Sequence, residues 1–175
     1  MPIFARAKLV FQDWCLLPHK RLTINYEGPN PQMIYPQLIT LMKEVFGVRE
    51  DEVQAITFEW TRGKVERFNI EWRVIKDIDK FSYYQYRVRL SGHAQPSEQF
   101  GKIGKAKIEL SGELFTEYPQ DTWWERSMIY EIIRTLWHRI FYQNKRWEYR
   151  EECKKSVLLL HRRIREFLNL LPQRV

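Results

Sequence analysis

Between residues 53 and 117 the chain alternates apolar and polar residues with a period of two, the pattern of strands that bury one face. Phe58 and Trp60, for example, alternate with Thr57 and Glu59, and residues 62–64 then fit a three-residue hairpin loop. An antiparallel meander with one solvent-exposed face produces this alternation, whereas a parallel sheet buried on both faces does not. The pattern predicts four strands, over about residues 56–61, 67–74, 83–90 and 105–114.

Two further strands and one helix are predicted before the meander. Residues 3–12 and 20–27 alternate enough to form strands, and a run rich in Gly and Pro at 27–31 then breaks the pattern. A helix over about 36–46 follows, because apolar residues recur there at helical spacing and Gly47 ends it. This helix is apolar on nearly all sides, which predicts that it is buried.

From about residue 121 the apolar spacing becomes helical, and Asp121 or Thr122 can cap the start of a helix. One apolar stripe lies at 128–140 and a second at 149–171, with a predicted break near Asn144. The sequence therefore predicts an α+β fold: an antiparallel sheet of five to six strands, one short early helix, and two amphipathic C-terminal helices packed on the apolar face of the sheet.

A length of 175 residues, 44% of them apolar, suits a single domain over 1–175 whose core needs no disulfide or metal. Cys15 and Cys153 lie far apart and form no CxxC pair, and the four histidines lack metal-ligand spacing, so neither a metal nor a cofactor is predicted. This predicts a reducing, cytoplasmic location, and no window has the length and apolarity of a membrane span. Few asparagines beside many lysines, arginines and glutamates is a composition reported for thermophiles.

The inner face of the predicted sheet carries aromatic residues opposite the C-terminal helices. A curved sheet that grips a helix can enclose a cavity, and such side chains suit a mostly apolar ligand. The meander and long terminal helix are similar to the helix-grip, START-like fold, with four predicted meander strands in place of six. The leading hypothesis is a non-catalytic binding protein for a hydrophobic small molecule, and an ordinary filled core is the alternative explanation of the same residues. The predicted ligand-binding residues are Trp60, Phe68, Trp72, Tyr84 and Tyr86.

The formal net charge of +7 is unevenly distributed. Residues 1–121 hold 17 basic and 16 acidic side chains, whereas residues 122–175 hold 12 basic and 6 acidic ones. A basic segment attracts polyanions, so the alternative function is nucleic-acid or other polyanion binding through the terminal helices and the polar sheet face. The predicted anion-binding residues are Arg67, Arg87, Arg89, Lys105 and Lys107 on the sheet, with Arg150, Lys154 and Arg162 on the last helix.

Pairing the strands across their turns predicts the neighbours of these sheet cations. It places Arg67 near Glu59 and Arg89, Arg89 near Lys105, and Arg87 near Lys107. Like charges opposed across strands are unfavourable, so three adjacent cations require a bound anion, an acidic neighbour or dispersal into solvent.

Two further predictions concern the C-terminal helices. Glu131, Arg134 and His138 lie on one helical face and could form an acid–base site, although a solvated helix face explains the same spacing. On the last helix, Leu158 and Leu159 widen the apolar stripe beyond what one neighbour covers, as does Leu170. This predicts a homodimer through the terminal helices.

Overall fold

The computed structural model describes residues 10–99, 101–117, 132–133, 136 and 143–170. Within these residues, six strands form one antiparallel sheet, and two long helices pack on it. The strands are β1 (Val10–Trp14), β2 (Leu22–Pro29), β3 (Val53–Thr61), β4 (Glu66–Asp77), β5 (Ser82–Ser97) and β6 (Gly101–Glu117). The helices are α1 (Ile34–Phe46) and α2 (Gln143–Leu170), and short 3₁₀ turns lie at Pro31–Met33 and Glu50–Glu52.

The predicted antiparallel meander is confirmed, with the strand order β3-β4-β5-β6. The remaining side of β6 pairs with both N-terminal strands: β2 lies against residues 103–110 of β6, and β1 lies against 113–117. Consequently β1 and β2 share one edge of the sheet, and β3 forms the opposite edge.

The early helix is also confirmed, and it covers part of the apolar face of the sheet. Gly47 ends it with a positive φ of 64°, a backbone conformation that favours glycine. Leu38 and Met42 are buried, and the ring of Phe46 stacks on Tyr86 with 3.9 Å between ring centroids. Each such buried side chain contributes about 1.5–3 kcal/mol to stability.

Helix α2 turns one apolar stripe toward the sheet, and its residues recur every three or four positions, as one face of a helix requires. A Cβ atom at Gly112 of β6 would lie 2.9 Å from Val157 and 3.0 Å from Cys153, so glycine permits this close approach. The buried residues of this stripe are Cys153, Val157, Leu160, Ile164 and Leu168.

No helix in the described part of the chain has a stretch long and apolar enough to cross a bilayer.

The two cysteines, expected to be reduced thiols, instead form a disulfide. Cys15 directly follows β1, Cys153 lies in α2, and their Cα atoms are 5.8 Å apart. The prediction failed because 138 residues separate the two cysteines in sequence. They meet in the fold because β1 pairs with β6 and α2 packs on the same part of the sheet. The bond joins α2 to the sheet edge formed by β1 and β2.

Polar contacts hold the N-terminal half of α2 to the sheet as well. The Tyr84 hydroxyl donates to Glu152 at 3.0 Å, and the Tyr149 hydroxyl donates to Asp79 at 3.0 Å. Burial, followed by the contact with Glu152, raises the pKa of Tyr84, which therefore stays a neutral donor. These contacts fix the rotation of α2 about its axis and so decide which of its flanks faces solvent.

The prediction of two C-terminal helices on the apolar face is wrong for the described residues, which contain one long early and one long C-terminal helix and are mostly sheet. The other terminal helix was assigned to 122–142, and most of that segment lies outside the described residues. Its described members Ile132, Ile133 and Leu136 are each more than half exposed. The physical reason is that α1 and α2 already bury most of the apolar face, including Trp72, Tyr84 and Tyr86.

The last two strands are longer than the alternation predicted. β5 continues to Ser97 and β6 begins at Gly101, so most of the stretch 91–104, which lay between the predicted strands at 83–90 and 105–114, is paired strand. Glycines within these strands weakened the period-two signal there. The longer strands shift the cross-strand register, which decides where the surface charges lie.

Candidate functional site

The five predicted ligand-binding aromatics come together on the inner face of the sheet, and they pack against one another and against α1. The ring centroids of Trp60 and Phe68 are 5.4 Å apart, and those of Tyr84 and Tyr86 are 5.7 Å apart. All but Trp60 are buried. Trp72 packs beside Tyr35, at a centroid distance of 5.7 Å. A hydrophobic ligand at these positions would have to displace side chains, so this site stays a prediction without a geometric argument in its favour.

The cations predicted for the sheet do lie on its outer face, but the predicted neighbours are wrong. Arg67 pairs with His93 rather than with Arg89, and Thr61 rather than Glu59 is its other partner. Arg87 pairs with Arg73 and Ser111, and not with Lys107. Arg89 lies between Glu71 and Glu109 instead of beside Lys105.

Acidic partners therefore compensate much of the positive charge on the sheet. Lys105 forms an ion pair with Glu27 at 2.9 Å, and Lys107 forms one with Glu109 at 2.6 Å. The hydrogen bond from Lys107 lowers the pKa of Glu109, which is thus ionised at neutral pH. Because carboxylates lie beside Arg89, Lys105 and Lys107, these three cations form no continuous track for a polyanion.

The three cations predicted on the last helix do not share one face. Lys154 lies one turn after Arg150, but Arg162 is twelve residues on and is therefore rotated by about 120° from Arg150. Its guanidinium lies 3.8 Å from Glu166. Lys154 lies 3.7 Å from Glu151, an exposed pair of the kind that contributes at most about 1 kcal/mol. The structure thus groups two of the three residues.

A different set of side chains forms one strip along α2 with three cations, Arg150, Lys154 and Arg165, and we call this strip the basic flank. Its residues are spaced three or four apart and extend over about 27 Å, at 1.5 Å per residue. At its start, the Arg150 guanidinium lies 3.9 Å from the ring centroid of Trp147, a cation–π contact, and Trp147 is 53% exposed. The basic flank comprises Trp147, Arg150, Lys154, Leu158, His161 and Arg165.

The environment of His161 in the basic flank shifts its protonation. Partial burial, followed by the charge of Arg165, lowers the pKa of His161 below its ordinary value of 6.5. It is therefore neutral at pH 7, and the charge of the flank at that pH comes from its arginines and its lysine.

Two clefts border the basic flank where it follows the sheet edge of β1 and β2. The β1 cleft has a volume of about 210 Å³, and the β2 cleft has a volume of about 620 Å³. Basic side chains of α2 line both of them, and strand residues form the opposite wall. The β1 cleft is lined by Asp13, Gln143, Arg146, Trp147 and Arg150. The β2 cleft is lined by Thr23, Ile24, Asn25, Tyr26, Glu27, Arg165, Leu168 and Asn169.

Sequence reasoning missed Trp147 and Arg165, although their spacing from Arg150 and Lys154 is visible along the helix. It missed the clefts because no local pattern shows that α2 runs beside the edge of β1 and β2. The predicted homodimer stays a prediction: Leu158 is 43% exposed, Leu159 is half-buried, and the side chain of Leu170 lies outside the described residues. The candidate acid–base residues Glu131, Arg134 and His138 also lie outside them.

Among the described residues, no three His, Cys, Asp or Glu side chains are grouped so that they could hold a metal ion. The chain matches no protein-family model and no curated protein sequence.

Proposed function

We propose that the protein is a non-catalytic binding domain for an anionic polymer, which it holds along the basic flank of α2. The observation that carries this proposal is the strip of Trp147, Arg150, Lys154 and Arg165 beside two open clefts. Arginine and lysine give such a surface its affinity for anionic groups, and an exposed tryptophan adds a stacking or apolar contact. The sheet face is left out of the proposed contact because three of its five predicted cations, Arg89, Lys105 and Lys107, have acidic neighbours.

Salt dependence tests this proposal, with a labelled oligothymidylate of about 20 nucleotides and a labelled polyglutamate of similar length as probes. The triple variant Arg150→Ala, Lys154→Ala, Arg165→Ala is expected to bind more weakly than the parent. For the oligothymidylate, the slope of log affinity against log salt is expected to fall by about 2, since each contact with a single strand contributes about 0.7. Fluorescence anisotropy measured from about 50 mM salt upward gives both values.

The matched control removes three cations from the rest of α2 by Lys145→Ala, Lys155→Ala and Arg163→Ala. All three side chains are exposed and lie outside the basic flank, so this variant has the same net charge as the first. It is expected to keep most of the affinity. An equal loss in both variants would show that net charge alone drives binding, and failure of the parent to bind either probe would also reject the proposal.

The disulfide bears on the cellular location, for which we propose the cytoplasm of a thermophilic cell. Disulfides are rare in the cytosol of mesophiles but common in intracellular proteins of hyperthermophiles, and the scarcity of asparagine agrees with that origin. Alkylation of acid-quenched cells is then expected to leave Cys15 and Cys153 unmodified until a reductant is added, as read by mass spectrometry. Direct alkylation of both cysteines would contradict an intact disulfide in that compartment.

A further inference from the structure

The two edges of the sheet differ in how they are protected against pairing with another strand. On one edge, β3 carries a bulge between Ala55 and Thr57, a feature that disrupts the regular pairing surface. On the other edge, β2 pairs with β6 over eight consecutive residues in an uninterrupted register, and it contains no lysine or arginine. Within the described residues, β2 has a strand neighbour on one side only. Among the described residues its other side has no strand partner, and we call it the open edge.

The hydrogen bonds of the sheet show which backbone groups of β2 lie on that open edge. Alternate residues of an antiparallel strand direct their N–H and C=O groups at opposite neighbours. The Asn30 N–H donates to the Lys102 C=O at 2.9 Å, so even-numbered residues of β6 face β2. They pair with even-numbered residues of β2, so the N–H and C=O groups of those residues bond to β6. The backbone N–H and C=O groups of Thr23, Asn25 and Glu27 therefore point away from β6.

The β2 cleft lies beside this edge, and its two walls differ in character. Residues of β2 form one wall, and the C-terminal part of α2 supplies Arg165, Leu168 and Asn169 to the other. Arg165 is exposed, and its positive charge continues the basic flank. With a volume of about 620 Å³, the cleft has room for several side chains of an added strand.

We infer that an extended acidic peptide segment of a partner protein binds here, adding to β2 as a further strand of the sheet. This inference rests on the proposed function, because it names the anionic polymer as a polypeptide. The open edge presents C=O acceptors as well as N–H donors, and a second strand satisfies both. A phosphodiester backbone has acceptors alone, so it leaves the carbonyls of Thr23, Asn25 and Glu27 without partners. Acidic side chains of the peptide pair with Arg165, which is exposed at this cleft.

The first test uses the full chain and a labelled peptide of about ten residues that alternates valine and glutamate, long enough to span β2. Asn25→Pro removes an N–H from the open edge without removing a bond to β6, and an edge position tolerates proline. This variant is expected to weaken peptide binding at least about tenfold, whereas Asn25→Ala, which keeps the N–H, changes it less than about twofold. Equal binding by the two variants would overturn strand addition.

A second measurement leaves the protein unchanged and therefore does not depend on the folding of the proline variant. The peptide is N-methylated on every second residue, in either of the two possible phases. Only one phase blocks the N–H groups that would bond to β2, so one methylated peptide is expected to bind like the parent and the other to lose binding. Equal affinity of the two methylated peptides would overturn the inference.

Comparison with oligothymidylate separates failure of this inference from failure of the proposed function. Binding of the oligothymidylate through Arg150, Lys154 and Arg165, with no binding of the peptide, would keep the function and reject strand addition. Absence of binding by both probes would reject both. A peptide with lysine in place of glutamate is the control for charge, and it is expected to bind at least about tenfold more weakly, since like charges at Arg165 oppose it.

Discussion

Replacement of both cysteines, Cys15→Ala with Cys153→Ala, is expected to lower the free energy of unfolding by about 3–5 kcal/mol. The disulfide closes a loop between residues 138 apart, and chain entropy alone gives about 5 kcal/mol for a loop of that length. The bond also fixes the middle of α2 to the sheet edge, where both cysteine side chains are buried. Urea unfolding followed by tryptophan fluorescence measures the difference in free energy.

A reductant provides the control for this prediction. Reduction of the parent chain is expected to produce most of the loss, whereas the same reductant leaves the stability of the double variant unchanged. If the parent unfolds at the same urea concentration before and after reduction, with free thiols verified by mass spectrometry, the disulfide has no stabilising role. Because the bond also holds α2 beside β1 and β2, the reduced protein is expected to bind anionic probes more weakly.

The sheet could be predicted from sequence because burial of one face imposes a period of two on every strand. The period identifies the face of a residue but not its neighbour, since sliding a strand by two residues preserves the face. Arg89 shows the difference: it was correctly placed on the outer face, but it was expected near Lys105 and lies between Glu71 and Glu109. The error arose where β5 and β6 extend through the expected loop.

The candidate site could be predicted in part. Helical spacing places Arg150 and Lys154 on one flank of α2, because that relation is local. Contact of this flank with β2 depends on how the helix is docked on the sheet, and the docking is set by long-range contacts such as Cys15 with Cys153. No residue pattern within β2 indicates that its second edge is open, because the same alternation occurs in a strand paired on both sides.

Substitution of Trp72 by alanine is expected to lower the free energy of unfolding by about 3–5 kcal/mol, as for an aromatic residue in a packed core. Trp72 is 2% exposed, and it pairs with Val88 of β5 and packs against Tyr35 of α1. Removing the indole leaves a cavity that the surrounding strands cannot close, because their positions are fixed by the hydrogen bonds of the sheet. Urea unfolding of the parent and the variant under the same conditions gives the difference.

Phe58→Ala is the matched control, since Phe58 lies on the same face of the sheet but is 57% exposed. It is expected to change the free energy of unfolding by less than about 1 kcal/mol, because surface substitutions have small effects. The comparison also decides between the two explanations of the aromatic interior. A loss below about 1 kcal/mol for Trp72→Ala would mean that its indole has few packing partners, as in the wall of a ligand cavity. A large loss confined to Trp72 would identify the interior as filled core, leaving the clefts beside β1 and β2 as the binding surface.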